Sequence, residues 1–274
     1  MRKEDVNISL EFFPPKSDRL EEKLYQEIEK LKILKPKFVS VTYGAGGGTR
    51  KRTHDIVLKI TKESDFKVAA HLTCVGSTIE EITKIAKDYW KSGIKHIVAL
   101  RGDLPDGGDF GDYKYADELV MALKKIADFE ISVAAYPEKH PEAQNLDEDI
   151  DNLKKKIDAG ANQIITQFFF ENKYFYEFVN KARQKNINIP IIPGILPIHD
   201  INQVQNFAKR CGSSVPDSIV KQYQSNKNHL IISKNITVKQ CQDLHDNDIR
   251  DFHFYSLNKA DLLIDICKEL NFYE

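Results

Sequence analysis

The chain is short of the features that mark several common classes of protein. Its 274 residues include only four cysteines, with no Cys-x-x-Cys pair among them: Cys74, Cys211, Cys241 and Cys267. This scatter argues against a zinc site and fits a reducing cytoplasm. No apolar run approaches the ~20 residues that a transmembrane helix needs, and the charged N-terminus lacks the apolar core of a signal peptide. We therefore expect a cytoplasmic protein with no metal centre and no membrane partner.

An excess of charge of one sign is also lacking. Lys and Arg number 40 and Asp and Glu number 41, which gives a net charge of −1. Such a balance supplies no electrostatic field to recruit nucleic acid. Hydrophobic residues make up 41% and charged residues 30% of the chain, as in ordinary globular proteins.

Two kinds of segment alternate along the chain. Short apolar runs rich in β-branched residues predict strands, and longer stretches with the helical apolar period predict helices. The predicted strands are 7–13, 38–43, 67–73, 95–100, 130–136, 163–169, 189–195 and 251–256. The predicted helices are 18–34, 78–92, 115–127, 147–159, 173–186, 200–211 and 258–270, together with a helical region from about 216 to 247.

Eight strands that alternate with helices favour parallel pairing with right-handed crossovers. The count and the length together predict an α/β fold, a closed (β/α)8 TIM barrel that spans 1–274 as a single domain. The long stretch between strands seven and eight is interpreted as an extra helical segment on the same barrel. An open doubly wound sheet is the structural alternative.

Glu11 lies near the end of the first predicted strand, among Leu10, Phe12 and Phe13. An acid in apolar surroundings loses water, and the sequence shows no cationic partner for it, so we expect a raised pKa. A carboxyl group that is protonated near neutral pH can donate a proton in catalysis. A strand-end glutamate that points to solvent is the alternative.

Polar residues occur at nearly every predicted strand end, where a (β/α)8 barrel places its active site. They are Glu11, Thr42, Tyr43, His71, Arg101, Asp103, Tyr136, His140, Gln167 and Lys259. Apolar residues surround most of these polar residues in the sequence, so a solvent-exposed surface is a poor explanation for them. No Ser-His-Asp or Cys-His pattern is evident. The set suits a large organic cofactor and a proton donor rather than hydrolysis.

Each motif taken alone has a plainer interpretation. The glycine-rich loop 44–48 matches neither a Walker A motif nor the Rossmann fingerprint. His71 alone is typical of a buried core histidine, and Arg101 with Asp103 is typical of a structural ion pair. The lysine run 154–156 is typical of a solvated helix face. Asp149, Asn152 and Lys156, however, share one stripe of their helix, against which a ribose or pyrophosphate would fit.

Nine short motifs occur together and in order. They are Glu-Phe-Phe-Pro-Pro at 11–15, Val-Thr-Tyr-Gly-Ala-Gly-Gly at 41–47, Leu-Arg-Gly-Asp at 100–103, Ala-Tyr-Pro-Glu at 135–138, His-Pro-Glu-Ala at 140–143, Lys-Ile-Asp-Ala-Gly-Ala at 156–161, Thr-Gln-Phe-Phe-Phe at 166–170, Pro-Gly-Ile-Leu-Pro at 193–197 and Asp-Phe-His-Phe-Tyr-Ser-Leu-Asn at 251–258. With these motifs the chain resembles the bacterial methylenetetrahydrofolate reductases over almost its whole length.

The resemblance implies a flavoprotein that holds FAD in a (β/α)8 barrel. NAD(P)H would pass a hydride to the flavin and leave. 5,10-Methylenetetrahydrofolate would then bind in the same place and be reduced to 5-methyltetrahydrofolate, which is a ping-pong mechanism. The cofactor supplies the redox chemistry and the protein supplies position and charge. The resemblance also implies a homo-oligomer.

The resemblance also implies roles for individual residues, at the positions where the motifs match. Glu11 would be the general acid that helps to protonate the folate amine when the methylene bridge opens, and Ser9 would relay or orient that proton. Asp103 would hold the pterin and stabilise the iminium charge. The substrate-binding residues would be Thr42, Gln167, Gln203, Phe207 and Lys259. The FAD-binding residues would be Tyr43, Ala45, His71, Arg101, Gly102, Asp103, Ala116, Tyr136, His140, Asp149, Asn152, Lys155 and Lys156.

One position departs from the pattern, because many relatives carry arginine where this chain has Lys259. If that residue binds the glutamate tail of folate, a bidentate fork is replaced by a point charge. Two other functions remain open from the residues. One is a flavin-free pterin-binding barrel that transfers a methyl group, and the other is a non-catalytic folate-binding protein.

Overall fold

Eight parallel strands close into a barrel in sequence order, β1 to β8. The computed structural model describes residues 6–43, 47–104 and 108–273, without the side chains of 47–50. Each strand pairs in parallel with its neighbour, and β8 pairs with β1 to complete the ring. The predicted (β/α)8 barrel is confirmed. None of the helices in these ranges is long and apolar enough to cross a membrane.

The strands are short and the helices surround them. The strands are β1 (Asn7–Phe12), β2 (Phe38–Val41), β3 (Val68–Thr73), β4 (His96–Leu100), β5 (Glu130–Ala135), β6 (Gln163–Phe168), β7 (Ile191–Ile195) and β8 (Asp251–Tyr255). The helices are α1 (Asp18–Leu31), α2 (Gly47–Glu63), α3 (Ile79–Lys91), α4 (Ala116–Ile126), α5 (Leu146–Asp158), α6 (Asn172–Gln184), α7 (Ile201–Cys211), α8 (Asp217–Ser225), α9 (His229–Asp246) and α10 (Asp261–Glu269). A short 3-10 turn, Lys32–Leu34, follows α1.

Helix α2 is the element that the apolar period did not delimit. Its buried apolar residues Ile56, Val57 and Ile60 all lie in its C-terminal half, whereas the stretch before Ile56 is polar. A helix with apolar residues in only part of its length gives a weak periodic pattern.

The predicted helical region 216–247 consists of two helices, α8 and α9. Asn228 separates them, because its side chain accepts a hydrogen bond from the backbone N–H of Ile231 and so caps the start of α9. Both helices pack with α7 against the ends of β6 and β7, through a cluster that includes Phe168, Leu196 and Ile198. The predicted extra helical segment on the barrel is therefore confirmed.

Strand alternation decides which side chains enter the barrel. In β1, Leu10 and Phe12 are fully buried in the layer between strands and helices. Ser9 and Glu11 take the other face and point into the barrel. The same rule turns His253 inward on β8, where it pairs with Ser9 across the closing seam. The barrel interior therefore holds most of these polar residues beside a small apolar cluster of Phe38, Ala69, Val98 and Ile165, while the main apolar core lies between the strands and the helices.

Candidate active site

Four buried side chains meet inside the barrel near the C-terminal ends of its strands. We call Ser9, Glu11, His71 and His253 the Glu11 cluster. The Nε2 atoms of His71 and His253 lie 3.3 and 3.4 Å from the same oxygen of Glu11, Oε2. The Oγ of Ser9 lies 2.8 Å from Nδ1 of His253. A chain of polar contacts thus runs from Ser9 through His253 to the carboxylate and on to His71.

The predicted raised pKa of Glu11 is wrong. Burial does raise the pKa of this carboxyl group, but the charges and hydrogen-bonding groups of His71 and His253 outweigh burial and lower it to about 2. Glu11 is therefore ionised near neutral pH in the ligand-free protein.

The error came from reading chain neighbours as spatial neighbours. Leu10 and Phe12 flank Glu11 in sequence but face the helices, and Phe13 is 38% exposed. The groups that do contact Glu11 come from β3 and β8, about 60 and 240 residues away in the chain. Only 8% of Glu11 is exposed, so the alternative of a solvent-facing glutamate is excluded.

His71 lies in the Glu11 cluster and does not line the groove described below. Its Nε2 is in contact with the carboxylate without the alignment of a hydrogen bond, and it has no other hydrogen-bond partner among the described residues. A buried polar atom in this state is available to a bound ligand.

An open groove runs from the barrel mouth across the ends of β3, β4 and β5 to α5. It consists of two adjoining cavities of about 250 and 450 Å³. Both cavities are lined by Arg101, Ala116, Tyr136, His140 and Lys156. The inner cavity adds Tyr43, Gly102 and Asp103, and the outer cavity adds Asp149, Asn152 and Lys155.

The groove therefore brings together the predicted cofactor residues other than His71 and Ala45, and Ala45 lies outside the described residues. The backbone at position 102 requires glycine, because φ of Gly102 is +86° and a Cβ there would lie 2.8 Å from the side chain of Val75. This allows the chain to turn sharply after β4 and to place Arg101 and Asp103 at the groove.

Cations and acids are interleaved along the groove. Arg101 makes a bidentate ion pair with Glu142, with N–O distances of 2.5 and 2.6 Å, rather than the pair with Asp103 that the sequence allowed. Lys156 donates to the carbonyl of Ala134 at 2.6 Å. Burial lowers the pKa of Lys156 to about 8, although the charge of Asp149 opposes the shift.

The proposed substrate residues surround the mouth. Thr42 is half-buried just after β2, and its backbone N–H donates to the carbonyl of Phe12. Gln167 is half-buried on β6, where the register with β7 shifts. On α7, Gln203 is exposed and Phe207 is half-buried beneath the guanidinium of Arg210, 5.3 Å from the ring centre. Lys259 is exposed after β8 and lines a different cavity.

Sequence reasoning missed His253 and Tyr255. Both lie on the inward face of β8, and Tyr255 donates from its hydroxyl to the carbonyl of Thr166 at 2.9 Å. A signal was present, because Phe252, His253, Phe254 and Tyr255 alternate apolar and polar with the period of a strand. That alternation places the histidine on the same face as the strand-end tyrosine.

The fold and this geometry define a (β/α)8-barrel enzyme with a buried acid at the C-terminal mouth and a long groove beside it. The description of the family whose profile matches residues 1–271 is methylenetetrahydrofolate reductase. The chain belongs to this family, and its reaction is the reduction of methylenetetrahydrofolate to methyltetrahydrofolate.

Individual relatives agree. The chain is 46% identical to the 5,10-methylenetetrahydrofolate reductase of Pectobacterium carotovorum subsp. carotovorum and 44% identical to that of Escherichia coli (strain K12). Each alignment covers 97% of this chain and 90% of the relative. Among solved structures, an uncharacterized Clostridium thermocellum protein that binds two copies of 5-methyl-5,6,7,8-tetrahydrofolic acid superposes with a TM-score of 0.67. That match covers 98% of this chain and 95% of the other, and at 16% identity it supports the fold alone.

Proposed function

We propose that the reduction uses FAD and NAD(P)H by a ping-pong mechanism, with the Glu11 cluster as the source of the proton. The observation that carries this proposal is the buried carboxylate of Glu11 between His71 and His253, 3.3 and 3.4 Å away at the barrel mouth. When bound, the flavin supplies the carrier that takes a hydride from the dinucleotide and gives it to the folate. The protein residues position the reactants and deliver the proton.

The donor set of the groove fits a flavin dinucleotide. A pyrophosphate needs cations, and Arg101, Lys155 and Lys156 line the outer part of the groove. Ribose and ribityl hydroxyls need acceptors and donors, which Asp149 and Asn152 offer. Small residues such as Ala99 and Ala116 leave room for a flat ring system in the inner part.

In this proposal Glu11 does not hold its proton in advance, as a protonated carboxyl group would, but receives it from the histidines of the Glu11 cluster. Because His71 and His253 lower the pKa of Glu11 to about 2, the carboxylate is ionised in the ligand-free protein and has to gain a proton before it can act as an acid. In the proposed step His253 would pass a proton to the Glu11 carboxylate, Glu11 would give that proton to the folate amine as the methylene bridge opens, and solvent would then return a proton to His253. Ser9 fixes the orientation of the His253 ring through the 2.8 Å contact at Nδ1.

In this proposal both substrates react at the barrel mouth. Asp103 lies at the junction of groove and mouth, where its negative charge would stabilise the folate 5-iminium cation. Thr42 would lie near the nicotinamide, and Gln167 would contact either ring. If both substrates use the same flavin face, the dinucleotide would have to leave before folate binds, which would give the ping-pong order.

The cofactor is tested by the absorbance of the purified protein. We expect a flavin spectrum that bleaches on anaerobic addition of NADH or NADPH and returns on addition of methylenetetrahydrofolate. A colourless protein that cannot be reconstituted with FAD would contradict the proposal and favour the flavin-free methyltransferase-like alternative.

The role of Glu11 is tested with Glu11→Gln, which keeps the shape of the side chain and removes its charge. The variant should bind flavin and accept the hydride from NAD(P)H at close to the normal rate. Its reoxidation by methylenetetrahydrofolate should fall by about 10³-fold or more, in the upper range for general acid catalysis. Equal damage to both half-reactions would make Glu11 structural.

A further inference from the structure

One face of helix α7 carries a cation and an aromatic ring in contact with each other. Gln203, Phe207 and Arg210 are spaced i, i+4 and i+7, so they share one face of the helix. The guanidinium of Arg210 lies over the ring of Phe207, with its central carbon 5.3 Å from the ring centre. Because Gln203 and Phe207 are proposed substrate residues, Arg210 lies on the face of α7 that a substrate would meet.

The C-terminal end of α7 is fixed against the loop between β5 and α5. Gly212 ends the helix with a φ of +72°, and a Cβ there would lie 2.9 Å from the carbonyl oxygen of Lys139. Both carboxylate oxygens of Glu138 lie 3.1 Å from the backbone nitrogen of Ser214, which donates to them, and the Ser214 hydroxyl donates to the same carboxylate. This loop also carries Tyr136, which lines the groove. The end of α7 therefore lies beside the groove wall in a defined position.

The charges around Cys211, the last residue of α7, show what this helix end lies near. Burial raises the pKa of the Cys211 thiol, the positive charge of Arg210 opposes that shift, and the negative charge of Asp103 adds to it. Since the interaction between charges weakens with distance, Arg210 and Asp103 both lie close to this thiol. Asp103 stands at the junction of the groove and the mouth, so the guanidinium of Arg210 lies near that junction.

The guanidinium of Arg210 is uncommitted. It forms no hydrogen bond or ion pair within the part of the chain that the structure describes, so its N–H donors are available to a ligand. Two cations of the groove are already engaged, since Arg101 pairs with Glu142 and Lys155 donates to Asn152 at 2.9 Å. A free guanidinium is a planar fork whose geometry matches the oxygens of a phosphate group.

We propose that Arg210 binds the pyrophosphate of the dinucleotide substrate NAD(P)H. This inference rests on the proposed function, since it assumes that NAD(P)H reduces a flavin at the barrel mouth. The cations of the groove are assigned to the pyrophosphate of the flavin dinucleotide, so a second pyrophosphate needs a cation of its own. Methylenetetrahydrofolate carries no phosphate. Arg210 therefore recognises one of the two substrates that share the mouth.

The test is anaerobic reduction of the bound flavin by NADH and by NADPH, followed by stopped-flow absorbance in Arg210→Met. Methionine keeps an unbranched apolar stem against the ring of Phe207 and removes the charge. We expect the apparent Kd of both dinucleotides to increase by about tenfold, as for loss of one charge-assisted hydrogen bond. The limiting rate of flavin reduction at saturation should not change, because Arg210 binds the substrate away from the reacting ring.

Two further measurements examine the contact itself. Arg210→Lys keeps the charge without the fork and should bind both dinucleotides within about threefold of the wild type. Calorimetric titration with NAD⁺, which needs no turnover, should show the same loss of affinity in Arg210→Met. The affinity of the wild type should also weaken more with added salt than that of Arg210→Met, since salt screens an exposed charge pair.

The matched control is Lys209→Met. Lys209 is the exposed neighbour of Arg210, and it lies roughly 160° from Phe207 around the helix axis. Its substitution removes the same charge from the same helix and should leave the apparent Kd of both dinucleotides unchanged. Equal weakening by Lys209→Met and Arg210→Met would overturn the inference, because the effect would then come from the overall charge of the helix.

The folate half-reaction provides a second control. Reoxidation of the reduced flavin by methylenetetrahydrofolate should have the same apparent Kd and the same limiting rate in Arg210→Met and in the wild type. Unchanged dinucleotide affinity in Arg210→Met would overturn the inference. So would a loss of affinity for folate of the same size, or a loss confined to NADPH, which would place the contact at the 2′-phosphate.

The wild type separates this inference from the proposed function on which it rests. If neither NADH nor NADPH reduces the bound flavin of the wild type, the proposed function is contradicted and the inference with it. If both reduce it, and do so with the same affinity in Arg210→Met, only the role of Arg210 is contradicted.

Discussion

The two ends of the barrel interior are built from similar residues but differ in charge. Near the C-terminal ends of the strands lies the Glu11 cluster, which contains a carboxylate and two histidines. Nearer the N-terminal ends lies a second buried network, which we call the His96 cluster and which consists of His96, Ser132 and Gln163. The Nε2 atom of His96 lies 2.6 Å from Oγ of Ser132, and Gln163 donates to the same oxygen at 2.8 Å.

The difference between the clusters follows from one carboxylate. Burial, and then the charges of His253, His71 and Lys37, lower the pKa of His96 to about 3, so this histidine is neutral near neutral pH. In the Glu11 cluster the charges and hydrogen-bonding groups of His71 and His253 outweigh burial and lower the pKa of the carboxyl group to about 2. A buried histidine is therefore a neutral hydrogen-bonding group at one end of the barrel and a neighbour that keeps an acid ionised at the other.

Phe38 separates the two clusters. Its ring packs edge-on against His96 at 4.6 Å and lies parallel to His253 at 6.0 Å. An apolar ring between them interrupts any chain of hydrogen bonds along the barrel axis. The charges of His253 and His71 nevertheless reach His96 and help to lower its pKa.

The largest expected effect separates the two histidines by function. His253→Gln should slow the folate half-reaction by about 10²-fold, because glutamine can hold Ser9 or Glu11 but cannot carry a proton. His96→Gln should leave that rate unchanged and lower the free energy of unfolding by about 1–3 kcal/mol. Stopped-flow kinetics and urea unfolding measure the two effects. Equal slowing by both substitutions would show that the barrel interior acts as one unit.

The second prediction uses the pH dependence of stability. The pKa of His96 is lowered in the folded protein, so the unfolded state takes up a proton below pH 6.5 and stability falls by about 1.4 kcal/mol per pH unit as pH decreases. The lowered pKa of Glu11 contributes stability above pH 4.5 that is lost as pH falls towards 2.

Urea unfolding between pH 7 and 4.5 should therefore show a free energy of unfolding that falls as pH decreases. The substitution His96→Gln should make this fall smaller, and Glu11→Gln should leave it unchanged. A slope unaffected by His96→Gln would contradict the neutral state of His96.

A smaller effect tests how tightly the catalytic end is packed. A Cβ on Gly194 of β7 would lie 2.1 Å from the carbonyl oxygen of Thr166 and 2.7 Å from the ring of Tyr255. Gly194→Ala should destabilise the protein by about 2 kcal/mol through overpacking. Gly93→Ala is the control, since a Cβ there meets nothing within 4 Å and only the positive φ opposes it, at about 1 kcal/mol. Thermal unfolding that ranks the two in the opposite order would show that the rim adjusts easily.

The smallest expected effect on the free energy of unfolding concerns a solvent-exposed ion pair. Glu142 is 62% exposed at its side chain, although it forms two short contacts with Arg101. Glu142→Gln should change the free energy of unfolding by less than about 1 kcal/mol, because water screens the pair. A loss of several kcal/mol would mean that the pair is structural.

Much of the fold was predictable because strands and helices have different apolar periods. The eight predicted strands end within two residues of the observed ones, for example 163–169 against Gln163–Phe168. Helix α2 was not delimited, since its first half carries no apolar stripe. The break between α8 and α9 was also missed, because a cap made by one asparagine is weaker than a change of period.

The sequence predicted which residues form the candidate site better than it predicted the charged partners of those residues. The rim residues were found from their places at strand ends, and Arg101, Tyr136, His140, Asp149 and Lys156 indeed line one groove. The roles of the site residues, the flavin, the homo-oligomer and the cytoplasmic location stay predictions. The partner of Arg101 and the partners of Glu11 could not be read from the chain, since each lies in a distant segment.

The sequence by itself determined the barrel, its order of strands and the family, because these depend on periodicity and on motifs that are local in the chain. Only the tertiary structure decided the protonation of Glu11. Strand alternation turned Leu10 and Phe12 away from the carboxylate, and closure of β8 onto β1 brought His253 beside it. The charge of a buried acid depends on the groups within a few ångströms, and the closed barrel, not the order of residues, selects those groups.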